Sequence, residues 1–144
     1  MSRARSCGRL IVASIIGLLL CGCGESVTDE QVLDEPAKVE HIKGTDVSRV
    51  TLTRDAAGRI DLQTASVKRT GKLAVVPSGA LLIDPEGVYW VYANPEPLVF
   101  VRREISVDHE TGSKAFISKG PPAGTRVVTV GVAELYGAET EVGH

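Results

Sequence analysis

The chain has 144 residues, a formal net charge of -2 and 24% charged residues, which fits one small domain and leaves no room for a second large core. Its mildly acidic balance gives no support for nucleic-acid binding. Three cysteines, one methionine and three histidines supply few soft or metal-ligating groups.

The first 22 residues read as an address rather than as part of the fold. Residues 1–9 (MSRARSCGR) carry Arg3, Arg5 and Arg9 and no acid, and residues 10–20 (LIVASIIGLLL) form an apolar run. That run is too short for a bilayer span, which needs roughly 20 residues, and fits the apolar region of an export signal. The small Gly22 then stands directly before Cys23. The stretch Leu20-Cys21-Gly22-Cys23 resembles the lipobox of bacterial lipoproteins, which implies cleavage between Gly22 and Cys23 and acylation of Cys23. Cleavage before Cys21 would put the bulky Leu20 where a small residue is wanted. Two or three acyl chains would make such an anchor stable, since one chain alone holds only marginally.

Removing residues 1–22 takes three arginines and no acid from the charge of -2, leaving -5. It also leaves no free thiol for a disulfide, a metal or catalysis. Such a domain must cohere by apolar burial.

Residues 23–46 are expected to form an acylated, flexible acidic tether. Within it Glu25, Asp29, Glu30, Asp34, Glu35, Glu40 and Asp46 face only Lys38 and Lys43. From residue 47 the pattern changes. Val50 and Leu52 alternate with threonines and predict a strand, followed by a short helical piece in RDAAGRI. QTASVK predicts a strand, and LAVV is a short apolar run stopped by Pro77. Asp84-Pro85-Glu86-Gly87 places proline second and glycine fourth in a turn, so ALLI and VYWVYA are expected to form a hairpin. Within it Val88, Trp90 and Tyr92 share a face, and the single tryptophan is expected to anchor the core.

Asn94-Pro95-Glu96-Pro97 is expected as a loop that neither neighbouring strand absorbs. LVFVRREISV reads as one alternating strand, DHETG as a turn, SKAFIS as the return strand, KGPPAG as a rigid connection and TRVVTV as the last strand. VAELYGAE predicts a closing helical turn. The expected organisation is a signal at 1–22, a tether at 23–46, a β-domain at 47–138 and a tail at 139–144. The fold class is all-β, a small barrel or roll of six to seven short strands with one or two helical turns.

Candidate chemistry is sparse. His41, His109 and His144 have no second ligand at metal spacing, and Ser78 in PSGA does not match a nucleophile elbow. Neither enzymatic activity nor a cofactor is expected. Arg102-Arg103 is the candidate partner contact, because neighbouring strand residues point to opposite faces and one of the two must face outward.

The order of these pieces resembles the periplasmic adaptor proteins, or membrane fusion proteins, of tripartite efflux pumps. The resemblance rests on Val76, Pro77, Ala80 and Leu81, then Asp84, Gly87, Trp90, Val91 and Tyr92. Phe100, Arg102, Arg103, Gly112, Gly120, Gly124, Val127, Val128 and Gly131 follow. With VTLTRDAAGRIDLQTASVKR it covers residues 48–137. In that family the two segments are far apart in sequence and meet as the membrane-proximal β-domain, whereas here only Thr70-Gly71-Lys72 separates them. The resemblance implies packing roles for Trp90, Tyr92 and Phe100. It also implies a lipid-anchored, periplasm-facing domain of the bacterial envelope. Its expected partner is an inner-membrane efflux transporter, of resistance-nodulation-division (RND) or ABC type, or a longer adaptor. The alternative from the residues is a free-standing envelope lipoprotein that captures a small ligand between its strands.

Overall fold

A computed structural model of the chain describes residues 35–141. The signal, its cleavage point at Gly22 and Cys23, and the first part of the tether lie outside the described residues.

Among the described residues eleven strands form two antiparallel sheets, with two helices. The strands are β1 (Ala37–His41), β2 (Ser48–Leu52), β3 (Gln63–Ser66), β4 (Lys68–Thr70), β5 (Leu73–Pro77), β6 (Leu82–Ile83), β7 (Tyr89–Glu96), β8 (Val99–Glu104), β9 (Ser106–Thr111), β10 (Lys114–Lys119) and β11 (Arg126–Val130). Helix α1 spans Arg54–Arg59 and α2 spans Val132–Glu141. The larger sheet runs β1-β2-β8-β7-β11-β3, with β6 also paired to β7, and the smaller runs β4-β5-β10-β9. The fold is all-β in class, as expected, and of the expected barrel or roll no closed barrel forms among the described residues.

Each helix starts for a local reason. Thr53 accepts the Ala56 N–H at 3.1 Å and caps α1, with Asp55 in the first turn and Arg59 in the last, both matched to the helix dipole. Gly131 turns β11 into α2 at φ +94°, and a Cβ there would stand 3.1 Å from Ile60 Cδ1. The hairpin between β6 and β7 closes as its turn residues predict: Gly87 N–H donates to the Asp84 carbonyl at 3.0 Å, and Gly87 has φ +82°.

The larger sheet is covered on both sides. On one face Tyr92, Phe100 and Val128 pack with Val132 and Leu135 of α2 and Ala56 of α1. On the other, Val91 and Val127 pack with Val76, Ala115 and Ile117 of the smaller sheet. The chain passes from the larger sheet to the smaller one twice, each time through a single residue, Val67 between β3 and β4 and Ile105 between β8 and β9. Both are buried in that second cluster.

These crossings account for two of the strands beyond the six or seven expected. QTASVK and LVFVRREISV each divide where the chain changes sheet. Three further expectations change. Ala37–His41, assigned to the tether, is an edge strand with Val39 opposite Val50. The segment 94–97 is partly absorbed, since β7 runs through Pro95 to Glu96 with a register shift between Ala93 and Glu96. Asn94 stabilises that irregularity by donating to the Val99 carbonyl at 2.9 Å. The closing turn is a ten-residue helix that includes residues assigned to the tail.

Leu135 is fully buried between α2 and the larger sheet. Leu135→Ala is expected to lower unfolding stability by about 2–5 kcal/mol through the cavity it leaves, read from urea denaturation.

Candidate functional site

Arg102 and Arg103 lie on opposite faces of β8, as strand alternation requires. Arg102 pairs across the sheet with Tyr92, on the helical side, and Arg103 with Val91, on the side of the smaller sheet. Their surroundings give them different roles.

Arg102 belongs to a buried polar junction under α2. Glu139 brings its carboxylate in from the helix, and the side chains of Arg102 and Glu139 are only 10% and 3% exposed. Arg102 Nε stands 3.2 Å from Glu139 Oε2. That contact is an ion pair without hydrogen-bond alignment, because Nε has no partner of good geometry. The carboxylate is also held by two donors: the Ser48 N–H reaches Oε1 at 2.9 Å and the Tyr92 hydroxyl reaches Oε2 at 2.5 Å. Arg102 Nη2 donates to the Asp46 carbonyl at 3.1 Å. Its guanidinium carbon lies 4.4 Å from the centre of the Trp90 ring and 5.6 Å from that of Tyr136, so two aromatic faces flank the charge.

Trp90 extends the junction to the β6–β7 turn. Its Nε1–H donates to Asp84 Oδ2 at 2.7 Å, while the Val88 N–H donates to Oδ1 at 2.8 Å. Trp90 is half-buried and belongs to neither core cluster, so it supports a charge at the sheet surface instead of anchoring the core as expected. Tyr92 and Phe100 are fully buried packing residues.

Titration follows from these contacts. Desolvation alone raises the Asp84 carboxyl, but the hydrogen bonds from Trp90, Val88 and Glu86 and the charge of Arg102 together hold it below its ordinary 3.8. Burial raises the Tyr92 hydroxyl well above its ordinary 10.0, reinforced by its hydrogen bond to Glu139 and the charge of that carboxylate.

Arg103 is exposed and lines a groove of about 420 Å³. Pro95 of the β7 irregularity and Pro121 and Pro122 of the rigid connection form its walls, with Glu104 and Lys119 beside them. Lys119 Nζ and Glu104 Oε1 are 3.9 Å apart and both exposed, a pairing that contributes little. The groove carries two cations against one carboxylate on stiff backbone, an arrangement that suits an acidic protein segment. Proline walls lose little entropy when a partner docks.

The remaining candidates do not converge. His41 is exposed on β1, and His109 stacks on Phe116 with centroids 4.4 Å apart. His144 lies outside the described residues. Ser78 sits in a 3-10 turn with its hydroxyl buried and unpartnered among the described residues. Among the described residues no three His, Cys, Asp or Glu side chains stand together for a metal, and no helix is long and apolar enough to cross a membrane.

Sequence reasoning missed Glu139. Its signal was the spacing Val132, Leu135, Glu139, which puts an acid on the apolar stripe of a helix and calls for a buried cation opposite. Comparison with known proteins finds no family model, no curated protein and no solved structure that this chain matches.

Glu139→Ala is expected to cost about 3–5 kcal/mol, because it leaves Arg102 without its counter-charge, and the double variant Glu139→Leu/Arg102→Met is expected to recover only part of it, because the buried Ser48 N–H and Tyr92 hydroxyl still lack their acceptor. Denaturant unfolding of the three chains checks both. The depressed Asp84 pKa contributes stability that is complete above the ordinary 3.8 and is lost as pH falls through the lower folded value. The fluorescence of Trp90, the single tryptophan, is therefore expected to change below pH 3.8, and Asp84→Asn to abolish that change.

Proposed function

We propose that this chain is a lipid-anchored, non-catalytic β-domain of the bacterial envelope that docks on an inner-membrane efflux transporter or a longer periplasmic adaptor. The observation that carries the reading is the Arg103 groove. It is cationic, open and walled by prolines, on strands whose opposite face is held by burial of Tyr92 and Phe100 under the helices.

Two further features support it. The neighbouring Arg102 is consumed by Glu139, so the Arg-Arg pair presents one cation outward from a rigid strand. The order of sequence motifs from Val76 to Gly131 also resembles that of a membrane-proximal adaptor domain. Docking through such a groove would place a rim of charge around a stiff apolar centre, which favours correct register and fast association more than raw affinity.

A photo-crosslinking amino acid at position 103 in the native membrane tests the proposal. The expected product is a covalent adduct with a transporter or a longer adaptor. Arg103→Glu is expected to lower co-isolation of that partner by roughly tenfold while the circular dichroism spectrum stays unchanged. Adducts with neither class of protein would refute it.

A further inference from the structure

The smaller sheet turns one face to the cluster it shares with the larger sheet, and its other face is also partly apolar. Register shows this directly, because antiparallel partners share a face. Lys68, Val75, Phe116 and His109 form one row across β4, β5, β10 and β9. Pro77 and Lys114 form part of the next row. The core-facing residues Val76, Ala115 and Ile117 alternate with these and belong to the inner cluster.

Val75 is only 7% exposed, yet it belongs to neither core cluster. It lines a cavity of about 380 Å³ where the edge of the larger sheet meets the smaller one. Ala65 and Ser66 of β3 form one side, Val75, Val76 and Pro77 of β5 another, and Lys68 and Lys114 flank it. The two lysines sit on strands either side of β5, one residue pair apart along it. Their Cα atoms are therefore about 12 Å apart, from strand spacing and rise, a span that two extended lysines close on one anionic group. Both are exposed, and among the described residues neither has a carboxylate within ion-pair distance.

We propose that this cavity binds a single-chain amphiphilic anion. Its chain lies against Ala65, Val75 and Pro77, and its carboxylate or phosphate sits between Lys68 and Lys114. The cavity has the make-up of a small-ligand site, a mostly apolar lining with a few polar groups that fix orientation. At about 380 Å³ it falls near the lower end of the volumes such sites show, which favours one medium-length chain over a diacyl lipid. The site gives a chemical class to the ligand-capturing alternative read from the sequence, and it does not depend on the Arg103 groove.

The test uses the full chain with phosphatidylcholine vesicles and a decanoate probe bearing a diazirine at the chain end, with labelled peptides mapped by mass spectrometry. Labelling is expected on β3 and β5, and affinity should rise up to about fourfold per added methylene until the cavity is filled. Lys68→Gln/Lys114→Gln is expected to reduce labelling roughly tenfold, while Lys68→Arg/Lys114→Arg retains it. Arg103→Glu is expected to leave it unchanged, which separates this site from partner docking. Soluble decyl phosphate is expected to compete. Equal labelling by an uncharged decanol probe, labelling spread away from β3 and β5, or wild-type labelling of the Gln pair would overturn the site. Competition by phosphatidylglycerol in the vesicles but not by decyl phosphate would overturn the single-chain ligand.

Discussion

Burial of the larger sheet on both faces is the constraint from which the other features follow. Adjacent residues Val91 and Tyr92 are both fully buried, and so are Val127 and Val128, each pair divided between opposite clusters. A strand in that position tolerates no uncompensated charge. Arg102, placed by alternation on the helical side, therefore requires the Glu139 carboxylate that α2 delivers. The same junction ties together distant parts of the chain, because Glu139 also accepts from the Ser48 backbone and the Tyr92 hydroxyl.

The sheet crossings convert this packing into surface. At Val67 and Ile105 the chain leaves the larger sheet and enters the smaller one, and both residues are buried between the sheets. The crossing at Ile105 leaves Arg103 and Glu104 at the end of β8, beside the connection that returns from β10. The crossing at Val67 leaves β3 as a sheet edge against β5, which forms the cavity flanked by Lys68 and Lys114. Two buried valine and isoleucine side chains thus position two separate concave sites. One is charged and walled by prolines, and the other is apolar with cationic flanks.

How much could be read in advance varied with the range of the interaction. The β6–β7 hairpin and the first helix were legible, because a Pro-Gly turn and a threonine cap act within a few residues. The edge strand Ala37–His41 was not, since two apolar residues in an acidic stretch carry little signal until β2 offers its free edge. The role of Trp90 was misjudged for a similar reason. Its partners, Arg102 and Asp84, come from a neighbouring strand and a turn, so nothing in VYWVYA indicates that the ring supports a charge instead of filling the core.

By itself the sequence determined the all-β class, the principal strand segments, the two helical pieces and the opposite orientation of the two arginines. Turn chemistry, capping and the two-residue strand period are local and survive in any context. Only the tertiary structure decided where strands change sheets, that no closed barrel forms among the described residues, and that Arg102 is paired internally while Arg103 lines a groove. Those outcomes depend on which faces meet across the core, and residues as far apart as Ser48 and Glu139 become neighbours only once desolvation makes their pairing necessary.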